Sequence, residues 1–590
     1  MKKNKKEKKI QPIPIWVTLL ILYFLICGMR IWYSFSFAGP QNLGDATLYD
    51  SIAQSIVGGT FISSGAYAAV VPPGYPFLLS ISYLFGPDKI LIYHAQLILN
   101  VLVAGMVLFA AYWFLREWCT KEIAVIGSFL IATLPSISKS TGFIMSENLF
   151  IPLSLFAFYF MYRAFKTDSL YISLLAGIFT FSLFFTRSIG IVTFIALVCG
   201  LMWYCYQNQK NGTSFIENLR TKWGILAGAF IPFLIWEALL LGTGHAAVGY
   251  QQDVMAANYI QNIGTNFIHY FKIFFLQIDY IMLTSYVIGA VLALYTIFLI
   301  VRRTKEVTTI LKRNTKEDNE DKALALTGVT GFALPLFVLF ALAPLPLIAS
   351  EVPYMYGRYY DPILPILFLF VILGIQYLMS KKSIPKLDTY AIFLTSITAS
   401  LLIVLTLPWN SHFDAVQNAP ILYLSSISTF YEYIIIILLF GVILSLMLLA
   451  GVKKLMIIRG FIILLVLMNA IIFFPMVDTE ITISNNYDRD GSVGKYIMAN
   501  VNNNELIIFD DSTFDNSIFN DSKSDGFWST VYYALIDYWV TNNLRRVNLT
   551  KIALSGDYTD IQDGDYIITM LKGSTEPLYV SPSGLSLYSL

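Results

Sequence analysis

The chain has 590 residues, 56% of them hydrophobic and 13% charged, with a mean hydropathy of +0.65. A water-soluble protein of this size needs far more charge to cover its surface. The net charge of +1 provides no global basic field, which excludes nucleic acid as a partner.

Apolar runs of about 18 to 25 residues recur along the chain, the length that crosses a bilayer core of about 30 Å. They predict about thirteen membrane helices, near 14–33, 90–115, 122–138, 147–165, 170–186, 188–206, 223–241, 281–301, 324–348, 361–379, 388–406, 430–450 and 456–475. The lysine-rich start MKKNKKEKKI looks like the head of a signal peptide. However, the run from Pro14 to Trp32 is long for one and no A-x-A site follows, so it reads as the first membrane helix. Residues 34–89 form a long loop. In it, GDATLYDSIAQSIVGG has Leu48, Ile52, Ser55 and Ile56 spaced for a short helix on the membrane surface, and PPGYPFLLSISYLF predicts a second. Residues 242–280 form another long loop, with His245, Asp253, His269 and Asp279 among aromatics, and read as a further pair of short helices. After Pro475 the composition turns to Asp, Asn, Ser and Thr. There ELIIFDD, DGDYIITML and LYVS read as β-strands, and STVYYALIDYWVTN as a helix or long strand. The expected fold is therefore a polytopic α-helical membrane protein, with a transmembrane domain over 1–475 and a small extracytoplasmic α/β domain over 476–590.

Lysine and arginine are retained on the cytoplasmic side of membranes. With the N-terminus inside, the inside segments carry Lys2–Lys9, Arg116/Lys121, Arg163/Lys166, Lys210/Arg220/Lys222, Arg302–Lys322, Lys381/Lys382/Lys386 and Lys453/Lys454/Arg459. The outside loops between spans carry Lys89, Lys139, Arg187, Lys272 and Arg358. Every inside loop outscores its outside neighbours, and an odd number of spans places the C-terminal domain outside. Cys27, Cys119, Cys199 and Cys205 lie in apolar runs or at their cytoplasmic ends, which makes them packing residues. Outside segments without cysteine and a lysine-rich start suit a bacterial plasma membrane.

Charges at the membrane's outer boundary are costly and each needs an account. Asp45, Asp50, Glu147, Arg187 and Arg358 all fall on the same side and come from four separate loops, as a composite site requires. Asp45 reads either as a general base or as a helix N-cap. Asp50, more than a turn away, reads as solvated surface. Glu147, opening the fourth span, suits the positive end of a helix dipole or a role orienting an acceptor. Arg187 in FFTRSIG interrupts an apolar stretch against the positive-inside bias, and a lipid phosphate would supply the partner for its forked guanidinium. In RYYDPILP, Arg358 reads as a second phosphate ligand, with Tyr359 or Tyr360 donating a hydrogen bond, or as part of an interfacial aromatic belt. Glu237, near the outer end of the seventh span, reads either as a membrane-buried charge of the kind that lines an ion path or as part of the site's rim. Walker A, dinucleotide, HExxH and GxSxG motifs are absent, and the four histidines lack metal-ligand spacing.

In their order and common sidedness, GDATLYDSIA, PPGYPFLL, MSENLF, TRSIG and RYYDPILP resemble the GT-C superfamily of membrane glycosyltransferases. The closest likeness is to protein O-mannosyltransferases and to the bacterial transferases that move aminoarabinose onto lipid A. The resemblance implies a donor sugar carried on a polyprenyl phosphate and an acceptor (protein, lipid or cell-wall polymer) reached from outside. It places Asp45 as the base, and Arg187 and Arg358 on the donor phosphate. Two departures weaken local recognition: Ala46 stands where many relatives have a second acid, and Val70–Val71 stand where relatives often carry a cation before Pro72–Pro73. No cofactor is expected, although the pattern leaves room for a divalent metal. The rival reading, a transporter or flippase of lipid-linked glycans or small molecules, requires polar residues near the bilayer midplane, whereas charge here concentrates at the outer face.

Overall fold

The computed structural model describes residues 14–37, 44–61, 72–209, 212, 214–242, 267–312, 318–342, 357–381, 386–406, 443, 454–490, 492–501, 505–510, 536, 544–547, 566–569, 576–581 and 585–589. The helices are α1 (Ile15–Phe35), α2 (Gly44–Val57), α3 (Gly74–Ser80), α4 (Lys89–Gly105), α5 (Val107–Arg116), α6 (Lys121–Ala132), α7 (Pro135–Ser140), α8 (Glu147–Lys166), α9 (Leu170–Thr186) and α10 (Gly190–Gln209). They continue as α11 (Phe215–Thr221), α12 (Trp223–Gly242), α13 (Phe267–Thr284), α14 (Ile288–Arg302), α15 (Thr304–Lys312), α16 (Asp318–Leu342), α17 (Ile363–Ser380), α18 (Lys386–Thr406), α19 (Lys454–Asp490) and α20 (Ser492–Asn500).

The protein is a multi-pass helical membrane protein. Among the described residues, seven helices are long and apolar enough to cross a bilayer, and one further pair qualifies if taken together. Segments without water must satisfy their own backbone groups, and a helix does so internally. The fourth and fifth helices run on as one 28-residue span, Lys89–Arg116. α17 is apolar on all sides and 89% of its spanning window is buried, which makes it the central helix of the bundle. By contrast α1 is only 22% buried and presents Trp16, Phe24 and Trp32 outward, as a lipid-facing helix would.

One end of the bundle is tied by ion pairs among the lysine- and arginine-rich loops. Glu117 binds Arg163 at 3.0 Å and Lys166 at 2.9 Å, and Lys166 also reaches Glu320 at 2.9 Å. Lys222 pairs with Asp168 at 2.9 Å and also donates to the Ala164 and Thr167 carbonyls, closing the C-terminal end of α8.

Four expectations change. The eighth span does not start at 281: α13 and α14 meet at an angle of 102°, with Tyr286 and Val287 at positive φ between them. The third span ends early, because the Leu134–Pro135 junction separates α6 from α7. Pro475 is no boundary, since α19 continues through it to Asp490. Finally, α2 buries Ala46, Tyr49, Ile52 and Ala53, while Leu48, Ser55 and Ile56 are only half-buried; it packs on protein by a face rotated from the expected one. Apart from Ile443, the span near 430–450 lies outside the described residues, as do 243–266 of the second long loop and, apart from Ile536, the segment STVYYALIDYWVTN.

The C-terminal part forms a five-stranded sheet in the order β2-β1-β3-β5-β4. Its strands are β1 (Ile507–Asp510), β2 (Leu544–Val547), β3 (Tyr566–Thr569), β4 (Tyr579–Val580) and β5 (Ser586–Ser589). β1 pairs in parallel with β2 and β3, and β5 pairs antiparallel with β3 and β4. Phe509, Ile568 and Leu587 form its core with Val493 and Ile497 of α20.

Both helix breaks are satisfied by one residue. Asn469 of α19 accepts from the Tyr286 hydroxyl at 2.6 Å, and donates at 3.2 Å both to the Leu130 carbonyl and to the Thr133 hydroxyl. Asn469→Leu takes the acceptor from the buried Tyr286 hydroxyl, while the Thr133 hydroxyl and the Leu130 carbonyl keep their bond to each other. It is expected to lower stability by roughly 1–2 kcal/mol, seen as a reduced unfolding midpoint in detergent; an unchanged midpoint contradicts the assignment.

Candidate functional site

At the end of the bundle opposite the Glu117 network, two of the expected residues, Arg187 and Arg358, meet on the ring of a third, Tyr359. Glu147 opens α8 and Arg187 closes α9, and these helices are sequential, antiparallel neighbours joined at their other ends by a short turn. The two side chains form an ion pair and are only 4% and 10% exposed. The Arg187 guanidinium lies 4.8 Å from the centre of the Tyr359 ring, and that of Arg358 lies 5.1 Å from it. Both distances fall within cation–π range. Arg358 Nη2 also donates to Tyr359 Oη at 3.4 Å. Arg358 and Tyr359 are held by a single 3-10 turn, Gly357–Tyr359, immediately before α17.

The structure adds residues that sequence reasoning passed over. A narrow cavity beside the ion pair is lined by Ser136, Lys139, Ser140, Met145, Glu147, Ile151, Arg358 and Asp361. Lys139, counted only as an outside-loop charge, is 3% exposed. The signal was available: like Arg187, it is a cation placed against the positive-inside bias. Asp361 stands inside the RYYD sequence and accepts from the Tyr280 hydroxyl at 2.7 Å. Tyr280 lies 81 residues earlier on α13, and no spacing rule joins the two.

Asp45 occupies the first turn of α2, which starts at Gly44, so it lies inside the helix and not at its N-cap. Its side chain is outside the described residues. Its turn of helix is nonetheless placed: Ala46 and Tyr49 pack with Ile144 and Tyr75, and Tyr49 Oη lies 3.1 Å from Ser146 Oγ, one residue before Glu147. Asp45 and Tyr49 share a helix face by their i,i+4 spacing. Asp50 is not solvated surface. Its carboxylate accepts from Tyr83 at 2.8 Å and Gln96 at 2.5 Å, bracing α2 against the following interfacial segment and α4. Glu237 is half-buried on α12.

At this end Lys139, Arg187 and Arg358 lie among the buried carboxylates Glu147 and Asp361, with Asp279 beside Tyr280 and Glu480 of α19 near Tyr33 also buried. Burial pushes the Asp361 carboxyl up to about 6, and the Lys139 ammonium and the Tyr280 hydrogen bond pull the other way. Three cations gathered in a buried setting offer several donors to an anion with several oxygens. Among the described residues no three His, Cys, Asp or Glu side chains gather as metal ligands. His245 lies outside the described residues.

No protein-family model matches the chain, and no curated protein matches it. Solved structures similar to it include two of one protein. The first is ArnT from Cupriavidus metallidurans in the apo state, 11% identical, with 97% of this chain and 98% of that one covered and a TM-score of 0.47. The second is ArnT from the same organism bound to undecaprenyl phosphate, 9% identical, with 97% of each chain covered and a TM-score of 0.48.

Two outcomes test the geometry. A Cβ on Gly357 would collide with the Tyr280 ring, so Gly357→Ala must displace Tyr280 from Asp361. Loss of about 1–3 kcal/mol of stability is expected on thermal unfolding in detergent, and no loss would contradict the packing. As pH rises through about 6, Asp361 ionises and adds a negative charge among the cations, so affinity for an alkyl phosphate falls. Asp361→Asn removes that component, while the ligand's own ionisation affects both proteins alike. Parallel binding curves for the two proteins between pH 5 and 7.5 would contradict the assignment.

Proposed function

We propose that the protein is an inverting glycosyltransferase that moves a sugar from a polyprenyl-phosphate carrier to an acceptor at the outer face of the membrane. The observation that carries this reading is the buried convergence of Glu147, Arg187, Arg358 and Lys139 at one end of a helical membrane bundle. A polyprenyl tail partitions into the bilayer beside the helices, and its phosphate arrives at the boundary where these cations lie. The sequence resemblance to GT-C glycosyltransferases supports the same assignment. In this reading the cation end faces outside, the N-terminus and the Glu117 network face the cytoplasm, and the membrane is a bacterial plasma membrane.

The chemistry balances as a single displacement. The acceptor O–H or N–H gives its proton to the Asp45 carboxylate, and its lone pair forms the new bond to the anomeric carbon. The bond from that carbon to the phosphate oxygen breaks on the opposite face, and polyprenyl phosphate leaves with the electron pair. The configuration inverts, as in one-step glycoside chemistry. Arg187, Arg358 and Lys139 stabilise the charge that grows on the leaving phosphate. Glu147 holds Arg187 in place, and the Tyr359 ring separates the two guanidinium groups. Asp45 receives the role of base from the resemblance and from the position of α2 beside Ser146.

The test is sugar transfer by purified protein in lipid, with a panel of radiolabelled polyprenyl-phosphate sugars and cell-envelope acceptors. Arg187→Ala is expected to slow transfer by about 100-fold or more, and Asp45→Asn by a comparable factor. Transfer undiminished by Arg187→Ala would remove the phosphate assignment, and transfer undiminished by Asp45→Asn would remove the base.

A further inference from the structure

The third span is too short. α6 has 12 residues, and at 1.5 Å per residue it covers about 18 Å of a core of about 30 Å. Its last carbonyls therefore end within the bundle, and the chain turns at Leu134 into α7, which carries Lys139. Residues 134–148 are buried throughout. Irregular backbone at such a depth persists only where other protein groups satisfy it.

Asn148 donates to the Ser140 and Phe143 carbonyls and Asn100 to the Phe143 carbonyl, and one face of α1 supplies further side-chain partners from another span. Arg30, on the first span, is fully buried and donates from Nη2 to the Ala132 carbonyl at 2.5 Å, with Nε 3.4 Å from Ser138 Oγ. Tyr33 donates to the Lys139 carbonyl at 3.4 Å, and Ser34 to the Thr141 carbonyl at 3.1 Å. Positions 30, 33 and 34 share one helix face. They grip the end of α6, the middle of α7 and the turn after it. A Cβ on Gly142 would collide with Tyr33 and Phe37, so α1 approaches that turn more closely than any other residue would allow. Among the described residues Arg30 has no carboxylate partner, and its Nη1 has no hydrogen-bond partner. An arginine buried without a counter-ion is expensive, and the carbonyl end of α6 gives it only partial compensation. A purely apolar contact between α1 and α6 would have avoided that cost.

We infer that Arg30 is a positioning residue for Lys139, fixing the α6–α7 break so that the lysine ammonium is presented to the anion cavity. The inference rests on the proposed function for its ligand, a lipid phosphate, but the anchoring itself can be measured without any ligand. Arg30 touches no reacting atom in this account and acts only through α7.

Three variants in lipid nanodiscs test it: Arg30→Met, Arg30→Lys, which keeps the charge and one donor, and Lys139→Met. Backbone amide exchange over 133–142 is expected to rise at least tenfold in Arg30→Met and less in Arg30→Lys, with exchange in α17 unchanged. Unchanged exchange over 133–142 in both Arg30 variants overturns the inference whatever the ligand. Binding of undecaprenyl phosphate is the second readout. Arg30→Met should weaken binding about tenfold in the wild-type background and less than twofold when Lys139 is already Met. The same factor in both backgrounds means that Arg30 acts on the whole fold, and the inference falls. If wild-type protein binds no undecaprenyl phosphate while the exchange pattern appears as expected, the proposed function fails and the anchoring by Arg30 stands.

Discussion

The architecture of the site depends on one buried ion pair, between Glu147 at the start of α8 and Arg187 at the end of α9. Each charge alone would be expensive in this setting, and removing either would strand the other. Paired, they fix the relative height of two neighbouring helices. The turn before α17 then brings Tyr359 against Arg187, and with Tyr359 come Arg358 and Asp361. A buried pair contributes little net stability compared with apolar packing of the same volume. Its retention at a cavity with further cations is better explained by a task than by folding.

A second constraint is depth. Six-residue α7 and the turn after it run through the bundle without the regular hydrogen bonding of a span, and Arg30, Tyr33, Ser34, Asn100, Asn148 and Asn469 supply partners in its place. The cavity lies at this interruption. A continuous third span would have carried an apolar stripe through the same place and left no room for Lys139, Ser136 and Ser140. The second interruption, at Tyr286–Val287, lies on the helix pair that supplies Tyr280 to Asp361. Asn469 of α19 binds both interruptions, and α19 is the helix that leads towards the C-terminal sheet. The two interruptions and α19 are therefore linked through a few polar side chains.

Much of this was legible in the sequence, because the bilayer imposes length and polarity on every span. α1, α8, α9, α10, α12, α16, α17 and α18 lie close to where apolar runs predict them. Arg187 and Arg358 stood out because charge is rare in such runs. The bend at Tyr286 was hidden because the residues on both sides are apolar, and hydropathy does not register a change of direction. The early end of α6 was readable at Pro135, where the preceding residue is pushed out of the helical region, but hydropathy alone carried the span past it. Lys139 reads as a loop charge, and α1, which covers it through Tyr33, lies 106 residues away in sequence. Arg30 was missed for a related reason: its partners, the Ala132 carbonyl and the Ser138 hydroxyl, lie 102 and 108 residues away and leave no mark in the spacing of side chains. Asp50 was misplaced because Gln96, 46 residues on, buries one side of it.

The central claim is that the cations at one end of the bundle hold a lipid phosphate. It is tested most directly by an experimentally determined structure of the protein in lipid with a non-hydrolysable polyprenyl-phosphate sugar. The account predicts phosphate density within hydrogen-bonding distance of Arg187, Arg358 and Lys139, with the tail leaving between the helices into the bilayer. Phosphate bound at the Glu117–Lys166 end, or a cation cluster that stays free of ligand under saturating lipid, would contradict it.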